Sequence, residues 1–136
     1  ISKPTAAGSV RLMMDQVRTL HNGADGVMVN GNGASGGGPT KGSIRNCESA
    51  SNAADGFVAF SNGPVAQLMI DTSGAFNNNI GIHAAGSVGT VRFTRSTVTA
   101  NTVGVQQDGV NTALSYMTNS VDGNATDGTF ATTPQK

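Results

Sequence analysis

Asp15, Arg45 and Asp71 form the strongest catalytic candidate in the chain, two carboxylates with a cation between them. They stand 30 and 26 positions apart, so a chain repeating at about that period brings them to one outward face on neighbouring turns. Two strand steps of about 4.8 Å would then set the carboxylates roughly 9–10 Å apart. That is the upper edge of the roughly 6.5–9.5 Å in which an inverting glycosidase fits a water and a sugar between its acid and its base. The simpler reading is an Asp-Arg-Asp ion ladder, which alternates charge along one face and contributes little at an exposed site.

The other reactive groups point to no site. His21 and His83 fall at different places in their repeats and have no cysteine or carboxylate partner at ligand spacing, so no metal or cofactor is expected. Asp25, Asp55, Asp108 and Asp127 sit near turns and read as turn formers. Cys47 is the single cysteine; it cannot form an internal disulfide and reads as a small buried filler. Gly31-Asn32-Gly33-Ala34-Ser35-Gly36 matches a dinucleotide fingerprint, but Gly37-Gly38-Pro39 cannot open the helix that would hold the phosphate. Lys41-Gly42-Ser43 reverses the order of a phosphate-binding loop. Both stretches belong to one long surface loop.

What must position these residues is legible as a repeat. Asparagine followed by glycine and a strand former recurs as Asn22 to Gly26-Val27, Asn52 to Gly56-Phe57, Asn78 to Gly81-Ile82, Asn101 to Gly104-Val105 and Asn124 to Gly128-Thr129. Self-similarity at 23 to 30 residues marks a solenoid whose units share one core. Counting ten residues back from each asparagine gives Leu12, Gly42, Leu68, Val91 and Leu114; counting eight back gives Met14, Ile44, Ile70, Phe93 and Tyr116. A separation of two puts both columns on one strand face. A looser column runs through Val17, Cys47, Ser73, Ser96 and Asn119, beside a bend. The glycine-led segments supply a further strand, so the expected fold is all-β, a parallel β-helix of about five coils with three short strands each. Nineteen glycines and thirteen asparagines suit a chain that turns sharply several times per coil.

Stacked in one turn, Asn22, Asn52, Asn78, Asn101 and Asn124 can pass an amide hydrogen bond from coil to coil at the strand spacing of about 4.8 Å. A structural ladder is the reading adopted for them, with a ligand-binding row as the alternative. The expected organisation is one domain over 1–136: an N-terminal segment 1–9, coils 10–130 and a tail 131–136.

The stretch from Val91 to Val105, with its Asn101 and Gly104, resembles one repeat of the right-handed parallel β-helix, pectate-lyase-like superfamily. The run Leu114 to Phe130 resembles the last coil of uncharacterised bacterial β-helix-repeat proteins. The likeness covers about residues 8 to 130. It implies the right-handed coil and a secreted or surface-associated protein; members include lyases, glycoside hydrolases, adhesins and proteins without known reaction. A lyase site of that superfamily needs clustered acids around calcium and a basic residue, whereas the nearby columns here read Gln16, Asn46, Thr72, Arg95 and Thr118. Tryptophan is absent, and Tyr116 is expected to point inward, so no aromatic sugar platform is foreseen.

Eight basic and eight acidic residues balance, which argues against a nucleic-acid partner. No apolar run has the length of a membrane span, and Ile1-Ser2-Lys3-Pro4 does not open a signal peptide. Ser2 to Ser9 and Thr132 to Lys136 are the candidate caps of the solenoid, with Pro4 and Pro134 to discourage further strand addition. The expectation is therefore a non-catalytic structural or interaction module that self-associates through open coil edges or is covered by an N-terminal capping domain. Polysaccharide binding or cleavage through Asp15, Arg45 and Asp71 is the alternative.

Overall fold

In the computed structural model, which describes residues 8–32, 37–110 and 112–134, the chain winds as a right-handed parallel β-helix. The first coil holds β1 (Val10–Asp15), β2 (Arg18–Leu20) and β3 (Val27–Asn30), and the second holds β4 (Thr40–Arg45), β5 (Glu48–Ala50) and β6 (Asp55–Phe60). The third comprises β7 (Ala66–Asp71), β8 (Gly74–Phe76) and β9 (Ile80–Ala85), and the fourth β10 (Gly89–Thr94), β11 (Thr97–Thr99) and β12 (Val103–Gln107). The fifth is β13 (Ala113–Tyr116), β14 (Ser120–Val121) and β15 (Thr126–Gly128), after which β16 (Ala131–Thr133) follows. Every third strand pairs in parallel, giving a first sheet from β1 to β16, a second from β2 to β14 and a third from β3 to β15. The tail expected from residue 131 thus extends the first sheet through β16 on β13. Residues 2–7, with Pro4, and 135–136 lie outside the described residues, as do 33–36 of the glycine-rich loop.

Alternation of side chains decides the inner face. In the first sheet Leu12, Gly42, Leu68, Val91 and Ala113 stack in one column, and Met14, Ile44, Ile70, Phe93 and Ser115 in the next. The expected Leu114 and Tyr116 are each one residue late. Three residues, Met117 to Asn119, separate β13 from β14, where two suffice between β10 and β11. Counting back from Asn124 therefore stops one residue short, and half-buried Tyr116 is off the inner column. Val29, Phe57, Ile82 and Val105 of the third sheet meet these columns in one core. Gly42 leaves room there: a Cβ would lie 2.7 Å from Val29 and 2.9 Å from Leu68.

Two corners per coil are built the same way. Gln16, Asn46, Thr72 and Arg95 form one corner column with φ between 47° and 57°, and His21, Ser51, Asn77 and Ala100 form another with φ between 53° and 60°. This left-handed geometry costs a side-chain-bearing residue roughly 1–2 kcal/mol. It also carries the next N–H away from the strand ladder. After the second corner, the N–H groups of Asn22, Asn52, Asn78 and Asn101 donate to Oδ1 of the asparagine one coil on, at 2.8–3.1 Å. The side-chain amides donate to the same oxygens at 2.8–3.1 Å. After the first corner the N–H groups of Cys47, Ser73 and Ser96 donate to Ser73 Oγ, Ser96 Oγ and Asn119 Oδ1 at 2.9–3.2 Å.

The recurring glycine belongs to the asparagine ladder. At Gly56, Gly81 and Gly104 a Cβ would lie 2.7–2.8 Å from the amide nitrogen of Asn78, Asn101 and Asn124. None of these three has a positive φ, so close approach, not backbone torsion, demands glycine there.

Two stability outcomes follow. Asn78→Ala leaves the buried N–H of Asn52 without its acceptor and is expected to cost about 3 kcal/mol in denaturant unfolding. Ala100→Gly, at an exposed corner with φ of 60°, relieves left-handed strain and is expected to raise stability by about 1 kcal/mol in the same assay.

Candidate functional site

Parallel register brings Asp15, Arg45 and Asp71 into one outward row, since Asp15 pairs with Arg45 and Arg45 with Asp71. A surface groove of about 410 Å³ runs past them and past Met13, Ser43 and Met69. The charges are shared differently from a three-membered ladder. Arg45 Nη2 reaches Asp15 at 3.5 Å, and Asn46 Nδ2 donates to the same carboxylate at 3.0 Å. Asp71 is taken by Arg95 of the following coil at 2.6 Å, with Thr72 Oγ1 donating at 3.0 Å. Arg95 stands at the corner after β10 with φ of 47°, and its guanidinium reaches back one coil to Asp71 and Thr72. The row is therefore two stacked ion pairs, Asp15–Arg45 and Asp71–Arg95, and each candidate carboxylate is occupied by a guanidinium.

The densest polar cluster lies elsewhere, on the outer face of the third sheet. His83 projects from β9 with Nδ1 2.7 Å from Asp55 Oδ2 and Nε2 3.2 Å from Asp108 Oδ1. Asp55 comes from the coil before and Asp108 from the coil after. Gly86 N donates to Asp108 at 2.8 Å, and Gln106 Nε2 lies 3.3 Å from both His83 Nε2 and Asp108 Oδ1. Asp25 Oδ1 accepts the N–H of Asp55 at 3.1 Å. Asp55 and Asp108 are thus more than turn formers, and His83 does have carboxylate partners. They stand 28 and 25 residues away, one repeat to either side, where a search for ligand spacing within a repeat does not look.

No protein-family model, no curated protein and no solved structure matches the chain. The parallel β-helix stands on the chain's own strand pairing, and the sites stand on their geometry.

That geometry makes the histidine cluster a clamp across three coils. With both ring nitrogens facing carboxylates, the imidazolium donates to Asp55 and Asp108 together. When neutral, it can keep Nδ1–H on Asp55 while Nε2 accepts from Gln106. Burial pulls the His83 pKa down most strongly of any single influence, but the hydrogen bonds and charges of Asp55 and Asp108 outweigh it and raise the pKa above 6.5. Burial likewise works to raise Asp108, and the bonds from Gly86, His83 and Gln106 hold it below 3.8. A shallow depression of about 320 Å³ beside the clamp is walled by Met28, Val58, Phe60 and Ala85, and among the described residues no serine, threonine or cysteine lines it. Among the described residues no group of three or more His, Cys, Asp or Glu side chains is placed to hold a metal ion.

The sign of the pH dependence follows from linkage. A raised folded pKa means that the His83 contribution is complete below about pH 6.5 and is lost as pH rises through the folded value. Asp108 contributes above about pH 3.8 and loses its contribution as pH falls through its depressed value. Denaturant unfolding of the wild type and His83→Gln is expected to show a larger stability gap at pH 6 than at pH 9.

Proposed function

We propose that the chain is a non-catalytic structural and interaction module of the pectate-lyase-like β-helix type, secreted or surface-associated, that associates with further copies of itself. The observation that carries this reading is the incomplete cover of the core at its near end. At the far end Phe130 packs edge-on against Phe93 of the fourth coil, with ring centres 5.9 Å apart. At the near end the inward residues Leu12, Met14 and Val17 are only partly covered, although their counterparts Leu68, Ile70 and Ser73 two coils on are buried. Among the described residues the outermost strands of both ends, β1, β2 and β3 and likewise β14, β15 and β16, each pair on one side alone. An open row of strand N–H and C=O groups beside apolar side chains is a template for another chain.

The chemistry of the outward row favours the same reading. A glycosidase needs one carboxyl group to deliver a proton and another to activate water, and both carboxylates here are engaged by guanidinium groups. Among the described residues no helix is long and apolar enough to cross a membrane.

Light scattering after size exclusion, over a concentration series, tests the proposal. Mass is expected to rise above that of one chain, and Met14→Lys is expected to lower the association at matched concentration without loss of β-sheet circular dichroism, because lysine can lift its ammonium out of the open end. A single-chain mass for the wild type at every concentration would overturn the reading.

A further inference from the structure

The first and third sheets present opposite faces to solvent. Their inner side chains meet in one core, as Gly42 against Val29 illustrates, so their outer side chains point away from each other. The charge is divided between these two faces, although the chain as a whole is neutral.

On the first sheet the outward residues include Arg11, Lys41 and Arg92. The two acids of that face, Asp15 and Asp71, are already neutralised by Arg45 and Arg95. The remaining three cations have no carboxylate within ion-pair distance among the described residues, so the face carries an excess of positive charge. On the outer side of the third sheet stand Asp25, Asp55 and Asp108 around His83. Three carboxylates against one imidazolium leave a net charge of −2, and −3 once His83 is neutral. The apolar relief is also complementary. Met13 is 87% exposed, and Met69 shares its column. The third sheet has the depression walled by Met28 and Phe60, into which a flexible thioether can fit.

We propose that copies of this chain pack side by side, the outer face of the first sheet of one seated on the outer face of the third sheet of the next. This rests on the reading of the chain as a self-associating module and names the surfaces. The two faces are different and lie on opposite sides, so the contact is heterologous and generates an open row of parallel solenoids. The third sheet is the smaller face: five strands at about 4.8 Å spacing and up to six residues at about 3.3 Å give a footprint of roughly 19 by 20 Å, about 400 Å² per copy. That falls among weak interfaces, so the rows depend on concentration and, being charge-matched, on salt.

The experiment is light scattering on Met14→Lys, in which the end contact is weakened, at low ionic strength and at about 1 M salt, where screening shrinks to about 3 Å. Three chains in that background are compared: the parent, one carrying Lys41→Glu and Arg92→Glu, and one carrying Asp25→Lys and Asp108→Lys. Circular dichroism checks that each folds, and Met28→Lys replaces the last pair if it does not. The parent is expected to associate at low salt and to return to single-chain mass at high salt. Each reversed chain alone is expected to stay at single-chain mass, and an equal mixture of the two to associate again, since each then meets its opposite. Parent association that ignores salt and survives both reversals would overturn lateral packing. So would a parent at single-chain mass while the wild type associates, which assigns association to the coil ends and leaves the proposed function standing. A wild type at single-chain mass throughout would overturn both.

Discussion

The structure depends on one backbone group per corner. Wherever the chain turns through the left-handed region, the following N–H leaves the strand ladder, and a buried donor without an acceptor costs about as much as a lost hydrogen bond. The solution is supplied one coil on by a side-chain oxygen, from Asn52 to Asn22 through Asn124 to Asn101 at one corner, and from Ser73, Ser96 and Asn119 at the other. Each coil thereby completes its predecessor. Asparagine suits the second corner because its NH₂ continues the ladder while its oxygen receives two donors; serine suits the first because its hydroxyl also donates to the carbonyl two residues back, as in Ser73 to Asp71 and Ser96 to Thr94.

Other features follow from that constraint. The glycine column exists because the ladder amide occupies the space of a Cβ. Coil length varies where the ladders do not reach: the return from the third sheet to the first takes Gly31 to Pro39 in the first coil and only Gly86 to Val88 in the third. The outer faces are left free to carry charge. Asp15, Arg45 and Asp71 are aligned by the register, yet their pairing is set by what the adjoining corners contribute, Asn46 to Asp15 and Arg95 to Asp71.

The repeat was legible because buried positions repeat residue types: asparagine at the ladder, glycine beside it, and Ile44, Ile70 and Phe93 within. The column through Cys47, Ser73 and Ser96 was legible as a position but not as a ladder, since a hydroxyl's partner depends on the corner's torsion. The shift of Leu114 and Tyr116 was hidden because the extra residue at Met117 to Asn119 leaves the asparagine period unchanged at 23. The His83 clamp was hidden for another reason. Its three members come from three coils and occupy no common column, since Val58 and Gln106 are the residues paired with His83. Pairing each histidine with carboxylates about one repeat away in either direction would have found it.

The ladders also give the solenoid an electrical direction. Along the axis the backbone dipoles of each strand largely cancel, because successive C=O groups point alternately to the coil before and the coil after. The ladder carbonyls of Asn52, Asn78, Asn101 and Asn124 all turn toward the preceding coil, and their dipoles add along the axis. The first-coil end therefore carries the negative pole and the last-coil end the positive one, so a field gradient runs the length of a molecule whose formal charges sum to zero.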